Sequence, residues 1–414
     1  MKVALVQPYG DNYTYSLDEL EEKLQHFLAK QPAVDLIVFP EAYEYIEHEK
    51  LSPWDAVRAL GDKFQTAVIV GYSLDLGTEE AYYYNPNADE AQYETNFSFY
   101  IKHATAHRVM FEEALSEENI ATIYAPVYLK GKHIQFSICH DMYYPLIMER
   151  FAQEGMDIYI NLTGGNVKMS KWGAILKGRS VELSGPVLCT MGNRTSMRQA
   201  SERLMYRDGK RIAPIKSSSA GKSTHAFSIF DLDSTKEMEE TPHYYSDKVY
   251  TAFTVGEQGA HIHLKEGQAI PNRAVEATSE QSFRMNVEEG TVHVHVGGEE
   301  HLKDRAYVFE EPRFTGDHEL FIYFCDASLS YEDAISLAKL RAIENRIAVV
   351  IDTPHYRIGA KTNRYKDVQL FERPTIGFDL QHMYGFDSVY EKNPTSTNGL
   401  NVKYRDLYEA LIYE

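Results

Sequence analysis

The sequence predicts a layered α/β fold followed by a second, smaller α/β or α+β domain. Three observations predict it. Apolar strand patterns alternate with amphipathic helix patterns from the first residues onward. A lone cysteine, Cys139, falls between a strand pattern and a proline that opens a helix. A polar, acidic stretch from Ser234 to Glu240 then divides the chain near residue 235, giving domains over 1–235 and 236–414.

Val3 to Gln7 is a short apolar strand. Ser16 caps a helix in which Glu19 holds the capping-box position and Leu17, Leu20, Leu24 and Phe27 form the apolar stripe. Asp35 to Pro40 is a second strand, apolar after its first residue and so covered on both faces; it ends at Pro40-Glu41. A helix around Trp54 to Leu60 and a strand from Ala67 to Tyr72 complete a β-α-β-α-β start. Glu79 to Tyr93, acidic and rich in tyrosine, reads as a loop, and Thr95 to Lys102 as a strand. Ile120 to Leu129 and His133 to Ile138 form a hairpin turning at Lys130-Gly131-Lys132. Pro145 opens a helix, Asp157 to Ile160 is a strand, and Ser170 to Leu183 is a helix. Pro186 to Thr190 and Thr224 to Leu232 are the last strands of the first domain.

At 414 residues the chain exceeds one ordinary core, and its 43% hydrophobic and 25% charged content is that of a globular protein. A net charge of −19 argues against nucleic acid or anionic membrane as a partner. The N-terminal strand is too short for a signal peptide and no apolar run spans a bilayer, so cytoplasmic residence is the expectation. Cys139, Cys189 and Cys325 have neither metal-ligand spacing nor a disulfide framework.

Three reactive groups stand at strand ends, where α/β sheets bind ligands: Glu41, Lys102 and Cys139. A cysteine just before a helix N-terminus can have a lowered thiol pKa, a carboxylate can take its proton, and a lysine can hold charge on a carbonyl oxygen. Phe39-Pro40-Glu41, Tyr100-x-Lys102 and Ile138-Cys139-x-Asp141-x-x-Tyr144-Pro145 resemble, in order and spacing, the three signatures of the nitrilase superfamily of carbon–nitrogen hydrolases. Gly155-Met156-Asp157-Ile158, Trp172, the Arg179-x-x-Glu182 pair, Gly192-Asn193 and Tyr206-Arg207-Asp208-Gly209 extend the resemblance over about residues 1–235.

The resemblance implies a four-layer α-β-β-α sandwich, no cofactor, no metal, and assembly into a homodimer or higher homo-oligomer. It implies Cys139 as nucleophile, Glu41 as general base and Lys102 as stabiliser of the tetrahedral intermediate, with the backbone N–H of His140 completing the oxyanion site. A second glutamate that places substrate is Glu112 or Glu113. Tyr144 belongs to the third signature, and the turn from Asn161 to Asn166 lines the pocket and sets substrate choice. His140 beside the nucleophile favours an amide over a nitrile. Two features depart from the family pattern: Leu146 follows Pro145 where an acidic residue is usual, and the turn after Asn161 is glycine-rich.

Ser217 to Ser223 ends like a phosphate loop, but Lys216 stands at the leading glycine position and a strand follows, so it reads as an ordinary loop. Val249 to Val296 reads as strands carrying His261, His263, His293 and His295, read as exposed rather than metal-binding. Leu320 to Phe324 and Ile347 to Ile351 are strands around a helix from Tyr331 to Asn345. Lys339 to Glu344 repeats Lys177 to Glu182, which reads either as a degenerate partial duplicate or as coincidence. No second Glu, Lys and Cys set accompanies it, so a non-catalytic second domain is expected. The functional expectation is a cofactor-free hydrolase of a small-molecule amide. Its rivals are a nitrile- or carbamoyl-processing or acyl-transferring member of the same fold, and a non-enzymatic scaffold.

Overall fold

A computed structural model describes residues 1–10, 15–31, 33–47, 49–75, 77–103, 121–122, 126–143, 145–165, 167, 169–192, 202–218, 225–239, 251–256, 259–264, 283–287, 290–303, 318–345, 348–363, 366–372 and 376–377. The chain forms two compact units, Met1–Glu240 and Thr241–Glu414.

The first unit is α/β. Its described residues begin β1 (Lys2–Gln7), α1 (Leu17–Leu28), β2 (Leu36–Val38), β3 (Glu44–Ile46), α2 (Pro53–Phe64), β4 (Ala67–Leu74), β5 (Glu79–Tyr84) and β6 (Phe97–Ile101). The next elements are β7 (Val127–Leu129), β8 (Lys132–Ile138), α3 (Pro145–Gln153), β9 (Ile158–Thr163), α4 (Met169–Glu182) and β10 (Val187–Met191). Strands β11 (Leu204–Arg207), β12 (Lys210–Arg211), β13 (Lys216–Ser217) and β14 (Ala226–Asp231) complete it. One sheet runs β13-β14-β1-β2-β4-β5-β6, with β3 beside β4; the other runs β12-β11-β10-β9-β8-β7.

Helices α1 and α2 bury Leu20, Leu24, Val57 and Leu60 against Ile37, Val68, Val70 and Tyr72 of the first sheet. The intervening strand residues Val3, Leu5, Leu36 and Ile69 are equally buried, so these strands are covered on both faces. The Thr190 hydroxyl on β10 donates to the Val6 carbonyl on β1, tying the second sheet to the first. Ser16 caps α1 by accepting from the Glu19 N–H at 3.3 Å. The Glu19 carboxylate pairs with Lys23 one turn on, so only half of the expected capping box forms.

The loop expected over Glu79 to Tyr93 is corrected for its first six residues. β5 pairs antiparallel with both β4 and β6, burying Ala81, Tyr82 and Tyr83. Tyrosines in a half-buried strand outweigh the acidic composition, because aromatic rings suit a pleated surface. The Lys130-Gly131 turn takes positive φ at both residues, the twist that a tight hairpin between β7 and β8 needs.

The described second unit has a three-stranded sheet ordered β16 (Gly259–Leu264), β15 (Thr251–Gly256) and β23 (Ile376–Gly377). Its larger sheet runs β17 (Phe283–Val287), β18 (Gly290–Gly298), β19 (His318–Phe324), β20 (Ala348–Asp352), β21 (Arg357–Asn363) and β22 (Lys366–Glu372). Helix α5 (Glu299–Lys303) follows β18, and α6 (Tyr331–Asn345) joins β19 to β20. Strand directions along this sheet are antiparallel, parallel, parallel, antiparallel, antiparallel, the same as along β7 to β12.

A buried arginine clamp recurs with the topology. Arg179 on α4 donates through Nε and Nη2 to the Met142 carbonyl, at 3.1 and 2.8 Å, and through Nη1 to Glu182. Arg341 on α6 does the same to the Leu302 carbonyl, at 3.0 and 2.8 Å, and to Glu344. The Lys339–Glu344 likeness is thus part of a repeated half-sheet. Three residues before each clamped carbonyl stand Cys139 in the first unit and Glu299 in the second.

Arg179 and Glu182 expose no side-chain surface. Arg179→Met should therefore leave a buried carboxylate without its guanidinium and lower stability by about 3–5 kcal/mol. Urea unfolding of the two proteins measures it, and a loss below about 1 kcal/mol, the value of a surface pair, would contradict the clamp's role.

Candidate active site

Glu41 lies in an interruption of strand pairing. From Val38 opposite Ile69 to Glu44 opposite Tyr72, the first strand advances six residues while β4 advances three. Phe39 and Tyr43 still donate to Ile69 and Gly71 of β4, so the loop that carries Glu41 is pinned at both ends. Ala42 within it takes φ of 51°. Gly71 makes room, since a Cβ there would stand 2.7 Å from both the Glu41 Cα and the Pro40 carbonyl.

Lys102 follows β6 directly, and its N–H donates to the Glu79 carbonyl at 3.0 Å. Its ammonium is ion-paired with Glu41 Oε1, the side chains being 10% and 7% exposed. The second carboxylate oxygen, Oε2, accepts from the Gly164 N–H at 2.6 Å. Burial pulls the Lys102 pKa down, but the Glu41 charge and hydrogen bond outweigh it and hold the ammonium above the usual lysine range.

Cys139 begins a short 3₁₀ turn, Cys139–Tyr143, at the end of β8, with φ of 51°. A β-carbon in that left-handed region costs about 1–2 kcal/mol, and such strain gathers at functional sites. The Asn161 amide fixes the turn by donating to the Cys139 carbonyl at 3.1 Å. The Thr163 hydroxyl donates to Cys139 Sγ at 3.3 Å, and His140 Nδ1 lies 3.2 Å from the same sulfur. His140 stacks on Tyr143 and meets Trp172 edge-on.

The expectation of a lowered thiol pKa is corrected. Burial pushes the Cys139 thiol well above its ordinary value, and the Glu41 charge raises it further, while Lys102 and the Thr163 hydroxyl oppose. The 3₁₀ turn also separates the sulfur from the N-terminus of α3. A thiol kept protonated at rest needs a base to become a nucleophile.

Asp141, fully buried, ties the lysine segment to the cysteine turn. It accepts from the Tyr100 hydroxyl at 3.0 Å and from the His103 N–H at 3.2 Å, one bond on each side of Lys102.

The structure thus brings Glu41, Lys102, Cys139, His140 and Asn161 together. Glu112, Glu113 and Tyr144 lie outside the described residues, as do the side chains of His261, His263, His293 and His295. Among the described residues no group of three His, Cys, Asp or Glu side chains could hold a metal. Cys189 and Cys325 are buried as expected. Burial raises both thiols, that of Cys325 to about 12. Thr163 and Gly164 fall in the turn expected to line the pocket, but their bonds to Cys139 and Glu41 went unrecognised in the sequence, as did Gly71. A glycine inside the apolar strand run Ala67 to Tyr72 was the available signal for close backbone approach. Nothing local marks Gly164 as the partner of Glu41, which lies 123 positions away.

A family model described as carbon–nitrogen hydrolase matches residues 2–219. Among solved structures, Nit3 of Saccharomyces cerevisiae, a member of branch 10 of the nitrilase superfamily, is 18% identical; the match covers 56% of this chain and 90% of that one, with a TM-score of 0.42. A carbon–nitrogen hydrolase from Helicobacter pylori G27 is 14% identical over 56% of this chain and 89% of that one, with a TM-score of 0.40. A mutant amidase from Nesterenkonia sp. AN1, bearing acrylamide at its active-site cysteine, is 16% identical over 56% and 93%, with a TM-score of 0.41. Comparison with curated proteins returns no match.

Proposed function

The chain belongs to the carbon–nitrogen hydrolase family, and from that premise we propose that it cleaves a small-molecule amide through a Cys139 thioester. The observation that carries this reading is the convergence of a buried carboxylate, a buried ammonium and a buried thiol in one site.

In the proposed cycle Glu41 takes the Cys139 thiol proton and the thiolate attacks the amide carbonyl. A C–S bond forms as the carbonyl π electrons move to oxygen, where the Lys102 ammonium stabilises the charge. Collapse breaks the C–N bond, and the proton held by Glu41 leaves with the amine. Glu41 then deprotonates water, which attacks the thioester and frees the acid and the thiol. The Gly164 N–H and the Lys102 pair aim the carboxylate without using all its lone pairs, so one oxygen can still take a proton. The four-layer sandwich and homo-oligomer implied by the family resemblance belong to this proposal. Residues 236–414 are proposed to shape access or assembly rather than chemistry, because Glu299 stands at the place in the repeated half-sheet that matches Cys139.

Screening ammonia release over a panel of small amides, ureas and nitriles tests the substrate class. The expected result is release from at least one amide; release from nitriles or ureas alone would overturn the amide assignment.

A further inference from the structure

Thr163 Oγ1 and His140 Nδ1 lie 3.3 and 3.2 Å from Cys139 Sγ, and the Glu41 carboxylate also bonds the thiol. Both Glu41 oxygens are already engaged, one by Lys102 and one by the Gly164 N–H. His140 is held by more than its bond to the sulfur. Its ring lies parallel to that of Tyr143, 5.1 Å between centroids, and edge-on to Trp172 at 5.3 Å. These contacts hold the plane of the ring, and Nδ1 faces the nucleophile.

We infer that His140 is a catalytic residue, a second proton acceptor for the Cys139 thiol that works beside Glu41. In the resting site the S–H donates to Nδ1 of the neutral imidazole. On activation the S–H bond breaks, its proton forms an N–H bond at Nδ1, and its electron pair stays on sulfur. The imidazolium then donates back to the thiolate, while the Thr163 hydroxyl donates to sulfur in both states. Imidazole suits this role because its unperturbed pKa lies near neutrality. Among the described residues, the charged groups around the pair include Glu41 and Lys102, whose fields act on the sulfur, Asp141 in the same turn, and Lys171 on α4, whose Nζ lies 5.3 Å from the Tyr143 ring.

This inference deepens the hydrolase reading and rests on it for its place in turnover. Its test reads the thiol alone, so a protein inactive on every amide would still decide it. The rate of Cys139 alkylation by iodoacetamide is followed from about pH 5 to 9, the modified peptide being identified by mass spectrometry, in wild type, Glu41→Gln, Glu41→Gln/His140→Asn and His140→Asn. Asparagine keeps a hydrogen-bonding group near the Nδ1 position but accepts no proton. Glu41→Gln should still alkylate, with an inflection in the imidazole range near about 6.5. Adding His140→Asn should abolish that inflection and slow the reaction at neutral pH by about 10²-fold. Equal rates and profiles in Glu41→Gln and the double variant would overturn the inference. If the double variant does not fold, the coupling is read without it. The His140 imidazole, titrated by NMR, should shift by at least about half a pH unit between wild type and Cys139→Ala; no shift would overturn the inference.

Discussion

Cys139→Ala should abolish C–N bond cleavage while leaving the protein folded. The side chain lost is small and sits at the start of a turn held by other bonds: Asn161 to the Cys139 carbonyl, Asp141 to Tyr100 and His103, and Arg179 to the Met142 carbonyl. Removing the sulfur removes the atom proposed to form the thioester, and Cys189 and Cys325 offer no substitute. Cys189 is wholly buried on β10 with its thiol raised by burial, and Cys325 lies in the second unit. A nucleophile variant of an enzyme that works by covalent catalysis keeps only the contribution of binding and oxyanion stabilisation, so activity should fall by about 10⁶-fold. Turnover within about tenfold of wild type would exclude the thioester route.

Glu41→Gln should be almost as damaging, for two reasons that a kinetic measurement separates. Both acylation and thioester hydrolysis need a base, so loss of the carboxylate slows each step by about 10²–10⁴-fold. The variant also leaves the Lys102 ammonium nine-tenths buried with an amide in place of its carboxylate partner. Its pKa, held high by Glu41, should fall once the negative charge is gone, because the remaining burial favours the neutral amine. Lys102→Met isolates the second effect: it keeps the base and removes the charge that stabilises the oxyanion. A loss of about 10²–10³-fold in kcat, with KM little changed, is expected from one oxyanion donor. A larger change in KM than in kcat would move Lys102 from stabilising the transition state to holding the ground state.

Glu41, Lys102 and Cys139 were legible because each sits where a strand run ends, and such ends show in single-sequence periodicity. Phe39-Pro40-Glu41 and Ile138-Cys139 needed only local patterns to be placed. The environment of the site was not local. The Gly164 N–H reaches Glu41, and the Thr163 hydroxyl reaches Cys139, from the end of a strand and the residue after it, and that strand's pairing with β8 the sequence does not encode in any window. The direction of the thiol shift failed for the same reason. Proximity to a helix start is a local signal, whereas burial, which decides the outcome, depends on what the two sheets place around the sulfur.

β5 was misread because its glutamates and tyrosines resemble a polar loop by composition. Its central residues Ala81, Tyr82 and Tyr83 are all buried, with β4 and β6 on either side. The repeat in the second unit showed in sequence only as Lys339 to Glu344. Its basis is the arginine clamp on the Leu302 carbonyl, a contact between backbone and side chain that leaves no other signature.

The most direct test of the account is intact-protein mass spectrometry after rapid quenching of the wild-type protein with an amide that it turns over. The account predicts one acyl adduct per chain, mapped by peptide analysis to Cys139 and absent from Cys139→Ala. Turnover with no adduct at Cys139, or an adduct mapped to Cys189 or Cys325, would contradict it.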